Sequence, residues 1–435
     1  MKRSLAVVLL LAVAPPGAAG AQSRPTRTLE ECVEIALARH PRLGSADADV
    51  EAGRQRVRQE RAGYLPQISA GASRERRKRS AAQATGLPGE SQPAETVQRF
   101  GYTTSGVSLT QVLFDFGRNL DAIQAARARY ESLEADADAE RDAIVREVKQ
   151  GYFDLLASRR LREVTEEVLR SNQSQLEQAR GRYEVGFAAK LDVTRSEVLV
   201  ANAELDVLTA RNNVLVAEQT LGNAMGLREP LDFDPADVLE APPLEISEER
   251  ALAIAQARRP ELLAVRAERR AAEEDVSSRW KEHLPDFSAG VDYDWSGSDS
   301  PLAESYQVGA FVTIPIFSGG LIDARVGEAR ALALALGFDE EALAQDVALE
   351  VRRAILELAR ARQAIGVSER AQRQARENLE LAEGRYRTGA GNVIELADAQ
   401  AQRASGEAEY VRSLYAYRIA VAELERAVGQ ELVQP

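Results

Sequence analysis

Histidine, cysteine and methionine are almost missing from this 435-residue sequence. His40 and His283 are the two histidines, far apart and each near a proline at an expected helix end, which leaves little material for a metal site or general-base chemistry. A single cysteine, Cys32, excludes an internal disulfide. Met225 is the one methionine after Met1, so no Met-lined path for soft metals is expected. Past the first 21 residues no apolar run approaches the ~18 residues that would span a bilayer as a helix. The formal net charge of −13 disfavours nucleic acid as a partner. No nucleophile–base set, metal-ligand spacing or glycine-rich phosphate loop occurs, so neither an enzyme nor a bound cofactor is expected.

What is present begins with "MKRSLAVVLLLAVAPPGAAGAQS". Lys2 and Arg3 precede a short apolar run, and Ala19-Gly20-Ala21 has the form of a cleavage site. Residues 1–21 read as a secretory signal peptide, with the mature chain starting near Gln22. Cys32 lies too far downstream to be an acylated terminal cysteine.

The strongest feature is an internal duplication. "GRYEVG" at Gly181 returns as "GRYRTG" at Gly384, 203 residues later (384 − 181). The same offset pairs Phe114 with Phe317, Gly117 with Gly320, Asp192 with Glu395, Leu221 with Leu424 and Gly226 with Gly429. Upstream, His40-Pro41 pairs with Arg259-Pro260, and "YLPQISAG" from Tyr64 with "HLPDFSAG" from His283, at an offset of 219 (283 − 64). The 16-residue difference (219 − 203) is an insertion in the first copy, placed in the polar stretch Arg74–Arg99. The copies are residues 22–226 and 247–429, joined by a Pro- and Asp-rich surface linker, 227–246, and followed by a short tail, 430–435.

Each copy reads as helix, helix, hairpin, long helix, tip, helix. Thr28 with Glu31 forms a capping box, and Pro41 and Pro260 interrupt the opening helices. "DFSAGVDYDW" and "YQVGAFVTIPIF" alternate apolar and polar residues with period two. Strands are expected at about 64–73 and 102–114, and at about 284–295 and 306–317. Tyr102, Tyr293, Trp295 and Tyr306 fall near strand ends, as interfacial aromatics or as barrel packing. The basic run Arg74–Arg79 is expected in an exposed loop, solvated or touching lipid phosphates. From Arg118 to Tyr183 there is no proline, and a continuous helix there would extend roughly 100 Å. The helix after the first tip carries heptad steps at Leu191, Val198 and Leu205, and at Thr194, Ala201, Leu208 and Leu215, read as its coiled-coil seam. Four strands cannot close a barrel, yet a sheet in lipid must have no open edge. Three copies would supply twelve strands in a cyclic assembly. An ordinary half-buried hairpin in water is the alternative.

With this order, the "LPxxSAG" strand starts, "FDFGR" at Phe114, "FSGG" at Phe317 and the two tips, the sequence resembles the TolC-like outer-membrane efflux proteins over nearly all of the mature chain. The resemblance implies a mainly α fold with a small transmembrane β part. It implies a homotrimer whose twelve-stranded β-barrel sits in outer-membrane lipid and continues as an α-helical barrel through the periplasm. The function implied is a passive exit duct for an inner-membrane pump, reached through a periplasmic adaptor protein. The outer-membrane part of a type I protein-secretion system is a second reading, and a pore-less periplasmic coiled-coil scaffold a third. By resemblance, Arg182, Tyr183 and Gly186 with Arg385, Tyr386 and Gly389 form the adaptor-docking tips, at about 181–190 and 384–393. Glu395 and Asp398 would ring the narrowest aperture, and Asp192 with Tyr386 would link the tips in a closed state. Gly391 stands where the family pattern has an arginine, which predicts a looser latch unless another basic residue substitutes.

Overall fold

The computed structural model describes residues 24–79, 98–237, 244–298, 301–430 and 432. The leader at 1–21 and the middle of the insertion lie outside them.

The elements of the first copy are β1 (Thr26–Arg27), α1 (Leu29–Arg39), α2 (Pro41–Ala62), β2 (Gln67–Arg79), β3 (Gln98–Phe114), α3 (Arg118–Glu184) and α4 (Lys190–Ala224). After β4 (Asp234–Pro235) the second copy follows as α5 (Glu248–Arg258), α6 (Pro260–Lys281), β5 (Asp286–Gly297), β6 (Ala303–Thr313), α7 (Leu321–Arg387) and α8 (Val393–Val428). Both long helices have 67 residues, roughly 100 Å at the helical rise. Among the described residues no helix is long and apolar enough to cross a membrane.

Local chemistry sets the boundaries. Thr28 Oγ1 accepts from the Glu31 N–H at 3.3 Å while Glu31 accepts from the Thr28 N–H at 3.0 Å, a reciprocal cap on α1. Pro41 opens α2 as its first helical residue, where its missing N–H costs nothing. Asp115 in "FDFGR" accepts from the N–H groups of Gly117 (3.1 Å) and Asn119 (2.9 Å), tying β3 to the start of α3.

The strands form one antiparallel sheet in the order β2-β3-β5-β6. β2 starts after Pro66 and runs to Arg79, six residues past the expected end at 73, and β3 starts four residues early at Gln98. The basic run is therefore strand, not loop: Arg74 pairs with Thr103 and Arg76 with Gly101. Strand pairing needs only a partner backbone, so charge does not end it once the side chains leave the apolar zone. β5 and β6 are displaced likewise, to 286–297 and 303–313 rather than 284–295 and 306–317, because Pro285 and Pro315 cannot donate to the ladder. Ile314 and Ile316 thus fall outside β6.

One sheet face carries apolar rows: Ile68–Leu109–Val291–Val308 and Ala70–Val107–Tyr293–Tyr306. The other carries Ser69–Ser108–Asp292–Gln307 and Gly71–Gly106–Asp294–Ser305. A Cβ at Gly106 would fall onto the Asp294 carboxylate, which would have to swing aside. Tyr102, opposite Glu75, belongs to this polar face, apart from the aromatics Tyr293, Trp295 and Tyr306.

The helices keep the strand order. Toward the sheet, α2 packs on α3, α3 on α6 and α6 on α7; toward the tips, α4 packs on α3, α3 on α8 and α8 on α7. The equator holds two equivalent cores, one around Tyr152, Leu155 and Leu221 and one around Val351, Tyr417 and Leu424. Two expectations fail here. The segment read as a surface linker inserts Leu231 and Phe233 into the first core, and β4 pairs parallel with β1. The seam read on α4 is not the one α3 covers. Leu191, Val198, Leu205, Leu208 and Leu215 are each more than half exposed, whereas Val193, Ser196, Ala203, Val207, Ala210, Val214, Ala217 and Leu221 are buried. α4 has two heptad faces. The small-residue face allows close approach to α3, and the leucine face is left without a partner in a single chain.

Candidate gate and docking tips

At the end away from the sheet, α3 and α7 each stop at a five-residue turn, and α4 and α8 return. Gly186 (φ 78°) and Gly389 (φ 76°) make the reversals, a conformation a Cβ would disfavour. Each is held by its own helix end. Phe187 N–H donates to the Arg182 carbonyl at 2.8 Å, and Ala390 N–H to that of Arg385 at 2.9 Å.

The two tips touch. The Arg182 guanidinium lies over the Tyr386 ring, 4.6 Å from its centroid, and the ring packs on Leu379, Ala382, Leu396 and Ala399. Lys190 approaches the Tyr183 ring at 5.8 Å. The tips differ in what they expose. The first presents Phe187, 86% exposed, with Val185 beside it. The second presents Thr388, Gly389 and Ala390. Between α4 and α8 an apolar groove of about 280 Å³ is lined by Val198, Leu199, Val393 and Ile394.

The acids lie at the helix starts. Asn392 caps α8 through Oδ1, accepting from the N–H groups of Ile394 (3.0 Å) and Glu395 (2.8 Å). Glu395 in that first turn is exposed, and its Oε1 meets Arg385 Nε at 2.9 Å. Arg385 also donates to the Ala390 carbonyl at 3.3 Å. It thus braces the second tip from within and pairs with Glu395. Asp398, one turn on, is exposed and has no such cation among the described residues. Asp192 accepts from the Ala189 N–H at 3.4 Å, closing the first turn of α4. Asp192 and Tyr386 are not hydrogen-bonded to each other in the single chain.

The Arg385–Glu395 and Arg182–Tyr386 contacts were not legible in the sequence. Helical spacing finds neighbours three or four apart on one helix, and these pairs cross a turn or join helices from different copies.

Comparison with known proteins shows what the whole chain is similar to. A family model described as outer membrane efflux protein matches residues 32–227 and 251–430. The outer membrane protein OprJ of Pseudomonas aeruginosa is 26% identical over 422 residues, covering 92% of this chain and 84% of that protein. TolC of Vibrio cholerae is 22% identical over 414 residues, covering 92% and 90%. Among solved structures, the Campylobacter jejuni CmeC outer membrane channel aligns with a TM-score of 0.81 at 17% identity, over 98% of this chain and 95% of that one. The open state of the Neisseria gonorrhoeae MtrE outer membrane channel aligns at 0.76 and 20% identity, over 93% and 89%. Because the match runs through both copies, equator and tips included, the chain belongs to the outer membrane efflux protein family.

Proposed function

We propose that three copies of this chain close into one conduit. It serves as the outer-membrane exit duct of a tripartite efflux system, passively passing substrates received from an inner-membrane pump and a periplasmic adaptor. The observation that carries this reading is what one copy leaves unfinished. β2 and β6 are open edges of a sheet with an apolar face. On the same two flanks α4 exposes Leu191, Val198, Leu205, Leu208 and Leu215, and α7 exposes Leu332, Phe338, Leu349, Leu356 and Val367. An open edge in hydrocarbon leaves backbone groups unpaired at several kcal/mol each. Pairing β6 of one copy with β2 of the next, and α7 with the neighbouring α2 toward the sheet and α4 toward the tips, satisfies both flanks at once. Native mass measurement in detergent is expected to give a trimer. A monomer without affinity for bilayers would overturn the reading.

At the tips, Glu395 and Asp398 would ring the aperture and favour cations. Since Arg385 pairs with Glu395, Asp398 carries most of the selectivity. Reversal potentials in planar bilayers test this. Asp398→Asn should lower cation preference more than Glu395→Gln, and an unchanged preference in the double variant would remove the gate assignment. The closed-state link Asp192–Tyr386 would form between tips as they converge, with Arg182 on the Tyr386 ring supplying the positive charge that Gly391 lacks. Arg182, Tyr183, Gly186, Arg385, Tyr386 and Gly389, with exposed Phe187, would meet the adaptor.

A further inference from the structure

The apolar face of the sheet has a measurable height. On β5 it runs from Phe287 to Trp295, eight residues on, about 26 Å along the strand and about 20 Å once tilted as in membrane barrels. That is close to the thickness of a barrel's lipid band. Its outer limit is an aromatic level, where Tyr293 and Trp295 meet edge-on at 4.6 Å and Tyr306 lies opposite Tyr293. Ala72 stands in register with Trp295 through Ser105. Alternation then puts Arg74 and Arg76 on this same outward face, two and four residues beyond. They rise roughly 5 and 10 Å above the aromatics on a tilted strand.

Both arginines are exposed, and among the described residues neither has a carboxylate partner. Opposite Arg76 stands Gly101, whose bare backbone lies near the Arg74 Nε, so the opposing strand adds no bulk there. Among the described residues one acid shares this face, Glu304 at the Trp295 level, and it is engaged by the Tyr293 hydroxyl at 3.1 Å. The hairpin of the second copy has no counterpart cation, with Gly297 and Ala303 at its outer end.

We propose that Arg74 and Arg76 form a basic collar that binds phosphate groups of lipid in the outer leaflet. The inference rests on the closed-barrel reading. A guanidinium fork matches phosphate oxygens two at a time, and these two sit at the height where head groups begin. Free phosphate offers the same oxygens but no acyl chain to lie against the rows of Val291, Val308 and Tyr306. The collar therefore selects anchored phosphate over the free ion.

The test uses the full-length protein in phosphatidylcholine bilayers doped with phosphatidic acid, with retained lipid counted by native mass spectrometry. The wild type should retain phosphatidic acid over phosphatidylcholine, and equal inorganic phosphate should not displace it. R74Q/R76Q should lower retention about thirtyfold, as expected for two cations at a charged membrane surface. R74K/R76K should keep most of it. Equal retention by R74Q/R76Q, or displacement by inorganic phosphate, overturns the proposal. So does loss of the trimer in R74Q/R76Q, which would make the arginines a joint between copies. A wild type that inserts without lipid preference removes the collar alone, whereas one that does not insert removes the duct as well.

Discussion

The two copies make the same elbow with different chemistry. In the first, His40 separates α1 from α2, and its Nδ1 accepts from the Arg42 N–H at 3.2 Å. Gly226 (φ 68°) backs onto it after α4. In the second, Arg259 occupies the elbow, almost fully buried, and Gly429 (φ 71°) backs onto it after α8. Arg259 donates to the Ala427 carbonyl at 3.1 Å and reaches Glu261 at 3.0 Å and Glu350 at 2.5 Å. In the first copy Arg42, one place past the proline, meets Glu147 at 2.5 Å and Glu140 at 3.0 Å. Glu147 and Glu350 correspond at the 203-residue offset (350 − 147). What duplication preserved is a cation over that glutamate, not a residue at a position. The first copy sets the cation outside the elbow and leaves a neutral cap inside. The second buries the cation and surrounds it with acid.

The largest test of this contrast is deletion of each elbow side chain. Arg259→Ala leaves the partly exposed Glu261 and Glu350 with Arg426 as their nearby cation, and should cost about 2–3 kcal/mol. His40→Ala removes one capping acceptor and should cost about 1 kcal/mol. Chaotrope midpoints of the assembled protein measure both, and equal losses would erase the distinction.

The glycines come next. Gly226→Ala and Gly429→Ala each force an alanine into positive φ, at about 1–2 kcal/mol. Gly226 should be the worse site. Its Cβ would come within 2.9 Å of the His40 Cα, against 3.3 Å from the Arg259 Cα at Gly429. Melting temperatures of the two variants should rank in that order.

The smallest effect is pH. Burial, with Arg42 beside it, holds His40 below its usual 6.5, opposed by Glu147 and Glu140 and by the Asn223 backbone. The fold thus favours neutral His40, so its contribution is complete above pH 6.5 and fades as pH falls toward its lowered value. Glu261 is raised by burial, but Arg259 and Arg426 outweigh this and hold it below its usual 4.5. Its contribution is complete above pH 4.5 and fades on further acidification. Melting followed from pH 7 to 3 should therefore show a decline below pH 6.5 and a second below pH 4.5, which Glu282 and Glu357 share with Glu261, and His40→Asn should remove the first alone. A first decline that survives in His40→Asn would assign it elsewhere.

Much of the scaffold was legible because it depends on neighbours in sequence. Thr28 and Glu31 sit three apart, so their cap is a local event. Proline-free runs of helix formers became 67-residue helices, and Gly186 and Gly389 marked both reversals. The candidate site was legible in position but not in pairing. Glu395 and Asp398 do sit at the start of α8, yet the cation on Glu395 comes from across the turn, and that on Tyr386 from the other copy.

The sequence by itself determined the duplication, the element order, the long helices and the tip glycines, since period, proline and glycine act through the local backbone. The tertiary structure alone decided which heptad face of α4 is covered, that Leu231 and Phe233 are core, that β2 continues through its arginines, and that the cation on Glu395 is Arg385. Each of those is settled by what lies opposite in space. Burial and charge pairing belong to two surfaces at once, and a linear pattern describes only one of them.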